Sequence, residues 1–452
     1  MSINSTQASE IGQNSNDLLV LIRQLADGLR MRPELLRRLH LDSSFDKDLG
    51  LDSLTRMEML SRVEESFGVV FSEQVYARIE TPRDLWREIQ NASPSQQHKP
   101  MLFEQYAKPQ EDDAIPYEAQ TLVDVLEWHV QTHPQRTHIT FYNDQNNGQQ
   151  ITFQQLKSSA EIMAAGLQTY GFKPKQTVAI MLPTSSDYFI SFFAILIAGG
   201  IPVPLYPPAR RAQIEEHLLR HQRILDNCQA VMLITVDEDK AIANRLTSQL
   251  ASLQQVVTPK QLMAAEGSLL KPKLSGNDIA FLQYTSGSTG TPKGVVLTHQ
   301  NLLSNVYAMG ERVGANASDV YVSWLPLYHD MGLIGAWFGS LYYSMHFVVM
   351  SPLAFLARPS RWLNALHQYR GTLTGAPNFA FELCLQRIKG DILNELDLSS
   401  VRYIFNGAEP ISPSTLERFS QTMKPCRLTE TAILPVYGLA ECSVGLSFPN
   451  VV

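Results

Sequence analysis

From residue 117 onward, short apolar runs alternate with longer amphipathic stretches, and this alternation limits the fold more than any other feature of the chain. Residues 178–181, 201–205 and 230–235 are such runs, with helical segments between them. A strand, a helix and a second strand in that order leave the strands parallel and the helix packed on one face. The expectation is an α/β domain with mainly parallel sheets flanked by helices. Local punctuation agrees. Thr121 with Asp124 reads as a capping-box start, followed by a stripe of Leu122, Val125, Leu126 and Val130. Residues 139–142 and 151–153 flank a polar turn containing Gly148, a hairpin pattern. Thr152 with Gln155 opens the next helix, which stops at Gly171. No internal repeat is present.

Two uncharged runs, 188–209 and 331–357, are long enough to cross a bilayer. The first is broken by Gly199, Gly200, Pro202, Pro204, Pro207 and Pro208, and reads as a buried helix, a turn and a buried strand. The second holds His346 and Pro352 and passes from GLIGAWFGSLYY into the β-branched run FVVM. That pattern fits a helix feeding a central parallel strand buried on both faces. No membrane span is expected.

The stretch richest in chemistry is 284–294, YTSGSTGTPKG, set between strand-like runs at 279–284 and 294–298. Its glycines free the backbone and allow close approach to a ligand. Its hydroxyls donate and accept hydrogen bonds, and Lys293 adds a point charge suited to phosphate. Backbone N–H groups in such a loop form an anion-binding nest. It is not a P-loop, because no Gly-Lys-Ser/Thr triplet is present. The plain alternative is a flexible surface turn, although a turn needs only about two to five residues.

Residues 17–92 read as a separate all-α unit of four helices. The first, 17–29, places Leu18, Leu21, Ile22, Leu25 and Leu29 on one face. A loop with Phe45 and Leu49 leads to a second helix carrying Leu54, Met57, Leu60, Val63 and Phe67 and closed by Gly68. A short third helix spans about 72–79. The fourth opens at Thr81-Pro82-Arg83-Asp84, with Leu85, Trp86 and Ile89 as anchors. Ser53 begins the second helix, where the N-terminus favours an anion; an ordinary N-cap is the alternative. Residues 1–16 read as a disordered N-terminus and 93–116 as a loose tether with Pro94, Pro100, Pro109 and Pro116.

The segment 48–60, DLGLDSLTRMEML, resembles that of acyl carrier domains, and the resemblance implies 4'-phosphopantetheine attached to Ser53 by a phosphopantetheinyl transferase. The loop 284–294 resembles the phosphate-binding signature of the adenylate-forming superfamily. That resemblance implies an AMP-binding large domain over 117–452, with Thr285, Ser286, Gly287, Ser288, Thr289, Gly290, Thr291 and Lys293 holding ATP phosphates and Lys293 counted as catalytic. Four further stretches match. GGIPVPLYPP at 199–208, followed by Ala209-Arg210, is similar to the second family motif. NGAEP implies that Asn406, Gly407, Ala408 and Glu409 pass beside the adenine. YGLAE implies nucleotide contacts from Tyr437, Gly438, Leu439 and Ala440, with Tyr437 stacked on the base and Glu441 holding Mg2+, a hard cation that prefers oxygen. Ala440 stands where the superfamily usually has threonine, a form similar to the fatty acyl-AMP branch. The bland role of Glu441 is a solvated surface carboxylate.

SWLPLYHDMGLIG at 323–335 also resembles fatty acyl-AMP ligases rather than peptide-synthetase adenylation domains, which carry a Phe-Asp motif there. It implies that His329 lines the carboxylate end of an acyl tunnel with Asp330 fixing its tautomer. The other reading is a satisfied core histidine beside a capping aspartate. The family's C-terminal lid, with its catalytic lysine, and the insertion separating AMP ligases from CoA ligases would fall after Val452, so the chain reads as an incomplete ligase.

The resulting expectation is a loading module: ATP, Mg2+ and a fatty acid give acyl-AMP, and the acyl group passes to a carrier thiol in cis or trans, feeding downstream polyketide or lipopeptide synthase modules. An acyl-CoA synthetase and a carrier module with a non-catalytic ligase-like platform are the rivals. A net charge of −7 gives no sign of nucleic-acid binding. Cys228, Cys384, Cys426 and Cys442 lie apart with no CxxC, and the N-terminus is polar, which together suggest a cytoplasmic protein without a metal-thiolate site.

Overall fold

The computed structural model describes residues 15–25, 39–45, 48–49, 53–71, 73–94, 114–144, 148–208, 214–285, 292–388 and 393–450. The chain divides into two compact units: Met1–Lys99 with Ala209–Arg211 and Leu353–Pro359, and the remainder.

In the first unit, α1 (Ser15–Leu25) buries Leu18, Leu21 and Ile22. The continuation to Leu29 expected from the sequence lies outside the described residues. Helix α2 (Ser53–Phe67) starts at Ser53 and stops at Gly68, whose φ of +62° is the left-handed form that glycine adopts without a Cβ penalty. Leu60 and Val63 are buried with Phe45 and Leu49. Helix α3 (Glu73–Arg78) is tied to α2 by polar groups: Glu64 Oε1 accepts from Phe71 N–H at 2.6 Å and Oε2 from the Tyr76 hydroxyl at 2.7 Å. Helix α4 (Pro82–Asn91) has the reciprocal cap its sequence announces: Thr81 Oγ1 accepts from Asp84 N–H at 3.2 Å, and Asp84 Oδ2 accepts from Thr81 N–H at 3.0 Å. Strand β1 (Val69–Val70) pairs antiparallel with β2 (Ser93–Pro94), so pairing in this unit runs past residue 92, into the stretch read as tether. The rest of that stretch up to residue 113 lies outside the described residues.

The second unit carries the predicted parallel sheets. One sheet has the order β6-β5-β7-β8, all parallel, from β5 (Thr177–Met181), β6 (Ile201–Pro204), β7 (Met232–Thr235) and β8 (Gln255–Val257). The other has the order β15-β14-β13-β11-β12-β3-β4. Its members are β3 (Thr137–Phe141), β4 (Gln150–Thr152), β11 (Val320–Ser323), β12 (His346–Val349), β13 (Leu373–Ala376), β14 (Tyr403–Asn406) and β15 (Ile433–Pro435). Only the β3–β4 hairpin is antiparallel, at one edge.

Strands β9 (Ile279–Thr285) and β10 (Lys293–Thr298) form a separate antiparallel pair. These are the two strand-like runs read on either side of the glycine loop, and they pair with each other rather than joining either parallel sheet. Residues 286–291 themselves lie outside the described residues.

The core is aromatic. Helix α5 (Phe153–Thr169) packs on α6 (Ser186–Ile197), and Phe189 and Phe192 of α6 meet Trp337 edge-on at centroid distances of 4.6 and 5.5 Å. The run from 331 does feed a central strand: Met331–Phe338 and Gly339–Tyr342 are helical, and β12 is buried throughout between β11 and β3. Met331–Phe338 has π-helical pitch, a form often found at functional sites that the sequence pattern did not reveal. Among the described residues, no helix is long and apolar enough to cross a membrane.

Candidate active site

Strands β11, β14 and β15 run parallel in the same sheet. Three predicted segments follow their carboxyl ends: 324–331, 407–410 and 436–441. Open α/β sheets bind ligands at that end, and here the three segments border one cavity of about 340 Å³. Its wall is completed by helix α7 (His299–Val313), which follows β10, and by the π-helical turn. The cavity has two chemistries. Thr285, His329, Asp330, Gly407, Ala408 and the stretch Tyr437, Gly438, Leu439, Ala440 and Glu441 contribute polar side chains and backbone. Val306, Met309, Val313, Tyr321, Met345 and Phe405 contribute an apolar surface.

His329 is about half exposed, at 54% for its side chain, so the core-histidine reading does not describe it. Its Nδ1 lies 2.7 Å from Asp330 Oδ1. The hydrogen bond to Asp330 raises the imidazole above its ordinary value, against the opposing effect of burial. Asp330 also accepts from Met331 N–H at 2.7 Å, capping the π-helical turn, so its position is fixed from two sides. Tyr437 is 64% exposed and free to meet a flat ring. Glu441 is exposed in the 3-10 turn Ala440–Cys442.

Three predicted residues stand off the cavity. Asn406 is fully buried, and its Nδ2 donates to Ala376 O at 2.9 Å, tying β14 to β13. Glu409 is exposed, and its Oε1 accepts from Phe379 N–H at 2.6 Å. Lys293 is exposed on β10 directly opposite Thr285, which does line the cavity, so it stands at the base of the glycine loop. Ser286, Gly287, Ser288, Thr289, Gly290 and Thr291 lie outside the described residues. So does the side chain of Ser53, whose backbone opens α2.

The apolar half of the site was not found from sequence. Val306, Met309 and Val313 repeat with helical spacing and look like any core stripe. A signal was present in Gly335 and Gly339, four apart on an apolar helix. A β-carbon at Gly335 would meet nothing within 4 Å, and one at Gly339 only Ile334 O at 3.9 Å. Both line the cavity, so these glycines leave volume rather than permit close packing. The rim also holds uncommon backbone: Ala408, Ser443 and Val444 have φ of 69°, 59° and 82°. For β-branched Val444 that is a genuine outlier.

Glu441 is a carboxylate at the cavity rim, close to the strand that carries Lys293, since β10 packs against the turn Ala440–Cys442. That donor chemistry fits a hard cation beside phosphates. Among the described residues, no group of three or more His, Cys, Asp or Glu side chains forms a metal cluster.

A cavity with a polar mouth and an apolar interior, at the carboxyl ends of parallel strands and next to a glycine loop, defines a class. The family model described as AMP-binding enzyme matches residues 126–451, and the chain belongs to that family. The model described as phosphopantetheine attachment site matches residues 20–89, so a carrier unit precedes the AMP-binding domain. The chain is 33% identical over 335 residues to the medium-chain-fatty-acid–[acyl-carrier-protein] ligase JamA of Moorena producens, covering 73% of this chain and 56% of the relative. It is 38% identical over 283 residues to the long-chain-fatty-acid–AMP ligase FadD32 of Mycobacterium marinum, covering 61% and 44%. Among solved structures, the fatty acyl-adenylate ligase of Legionella pneumophila in complex with acyl adenylate and pyrophosphate superposes with a TM-score of 0.67 at 34% identity, covering 74% of this chain and 58% of that one. The chain thus spans about half the length of the curated relatives it matches.

Proposed function

We propose that this protein activates a fatty acid with ATP, forming acyl-AMP and pyrophosphate, and passes the acyl group to a phosphopantetheine thiol. The observation that carries this reading is the single cavity joining a polar, strand-end rim to an apolar interior. In the reaction a carboxylate oxygen attacks the α-phosphorus, a P–O bond forms, and the bond to pyrophosphate breaks. The apolar wall from α7 takes the alkyl chain and leaves its carboxylate at the rim beside His329. His329, its Nδ1–H held by Asp330, offers its Nε2–H toward that carboxylate in the protonated form that Asp330 favours. Tyr437 stacks on the base, and Gly407 lets the backbone approach it, since a β-carbon there would already crowd Val436 O at 3.1 Å. Lys293 and Thr285 hold phosphate oxygens from the base of the glycine loop, so catalysis is chiefly positioning and charge stabilisation. Glu441 would hold Mg2+, which supplies further neutralisation of phosphate charge. Phosphopantetheine on Ser53 would supply the acceptor thiol.

In this reading, 17–92 is the carrier, 93–116 the tether and 117–452 the AMP-binding domain. A phosphopantetheinyl transferase and downstream synthase modules are its partners, and the cytoplasm is its place. A fatty acid suits the site better than an amino acid. Among the described lining residues the carboxylates are Asp330, engaged by His329 and Met331, and Glu441 at the exposed rim, so an ammonium group in the apolar interior would go unpaired.

Calorimetry with non-hydrolysable acyl-sulfamoyl adenosines tests this. The dodecanoyl compound should bind and the phenylalanyl compound should bind far more weakly. Equal or reversed affinities would refute the fatty-acid reading. With acyl-AMP supplied, label should move to a holo carrier and not to CoA; efficient acyl-CoA formation would favour a synthetase.

A further inference from the structure

We propose that Asn305 is a positioning residue for the Tyr437–Glu441 segment, clamping the loop that carries this segment onto α7, the helix that lines the apolar cavity. Asn305 Nδ2 donates to Gly445 O at 2.7 Å, and Asn305 Oδ1 accepts from Gly445 N–H at 3.0 Å. The side-chain amide thus pairs with the backbone of one residue as a neighbouring strand would. The approach is close: a β-carbon at Gly445 would lie 2.4 Å from Met309 Sδ on the same helix.

Among the described residues, the other hydrogen bonds of 437–447 are internal, and just beyond them Arg312 of the same helix donates to Pro449 O at 2.9 and 3.2 Å. Tyr437 N–H donates to Ser447 O at 3.0 Å, Ser447 N–H to Tyr437 O at 2.9 Å, and Val444 N–H to Leu439 O at 3.2 Å. The internal bonds close the loop, and its contacts to α7 and β10 set how it sits. Ser443 and Val444, at φ of 59° and 82°, hold conformations that persist only when the surroundings over-determine them. Asn305 supplies a two-point restraint at Gly445, directly after both. The following residue, Val306, and Met309 one turn on line the cavity. Asn305 therefore joins, through one helix, the surface assigned to the acyl chain and the segment assigned to the nucleotide. The identity of these ligands rests on the functional reading above; the clamp does not.

The test uses the whole chain with Asn305→Leu, which is similar in size and makes no hydrogen bond, and Asn305→Asp, which keeps only the acceptor. Without ligand, amide hydrogen exchange over residues 437–447 should be faster in Asn305→Leu than in wild type, with Asn305→Asp between them. Unchanged exchange would overturn the clamp. With AMP as probe, Asn305→Leu should bind about tenfold more weakly. The fluorescent fatty acid cis-parinaric acid should bind as in wild type. A parallel loss of both probes would mean general loosening of the fold and would also overturn the proposal. A wild type that binds neither probe would refute the functional reading, and the exchange result would still decide the clamp.

Discussion

Gly335 is where a single atom has the most room to matter. Its missing β-carbon opens onto the cavity, with nothing within 4 Å. Gly335→Phe should therefore fill the interior and shift preference among acyl-sulfamoyl adenosines toward shorter chains. An equal loss at every chain length would place Gly335 away from the chain. The His329–Asp330 pair offers a titration. Its hydrogen bond raises the folded-state value of His329 above that of the unfolded chain, so the pair's contribution is fully present below about pH 6.5. It is lost as pH rises through the folded value. In Asp330→Asn, the imidazole should titrate lower than in wild type by NMR; an unchanged titration would mean that the aspartate does not hold the proton on the ring. The pairing itself was legible from adjacent letters. The exposure of His329 was not, because it depends on which strand ends meet there.

At the scale of elements, the sequence was most readable where structure is local. The caps at Thr81, Thr121 and Thr152 all form reciprocal boxes, because each needs only residues three apart. Thr121→Ala should cost about 1 kcal/mol by chemical denaturation, and no measurable loss would mean that packing alone fixes that helix start. The hairpin at β9–β10 and the π-helical turn were less readable, since strand partners and helical pitch are set by neighbours far along the chain. Adjacent strands β3 and β12 carry another non-local feature: His138 and His346 are buried, and burial lowers each to about 3. The unfolded chain would take up these protons near pH 6.5, roughly. The stability that depends on neutral rings is thus present above that value and lost as pH falls toward about 3. The thermal midpoint should drop steadily on acidification through this window; a flat profile would show that both rings charge inside the fold.

For the whole molecule, the two units make separable predictions. Co-expression with a phosphopantetheinyl transferase should add one prosthetic group, detected by intact mass, and Ser53→Ala should abolish it. An unchanged wild-type mass would remove the carrier role and leave the AMP-binding domain untouched. The order of strands also sets an order of events during synthesis. Strands β5 to β8 come from one continuous stretch and can pair as soon as residue 257 has emerged. Strand β3 has no such luck on its inner side, since its partner β12 begins at His346, 205 residues after Phe141. At roughly 5–20 residues per second, that interval lasts about ten to forty seconds. Throughout it, the nascent chain carries an open strand edge at β3, and the cavity cannot close until the lining segment that ends at Phe448 has emerged as well.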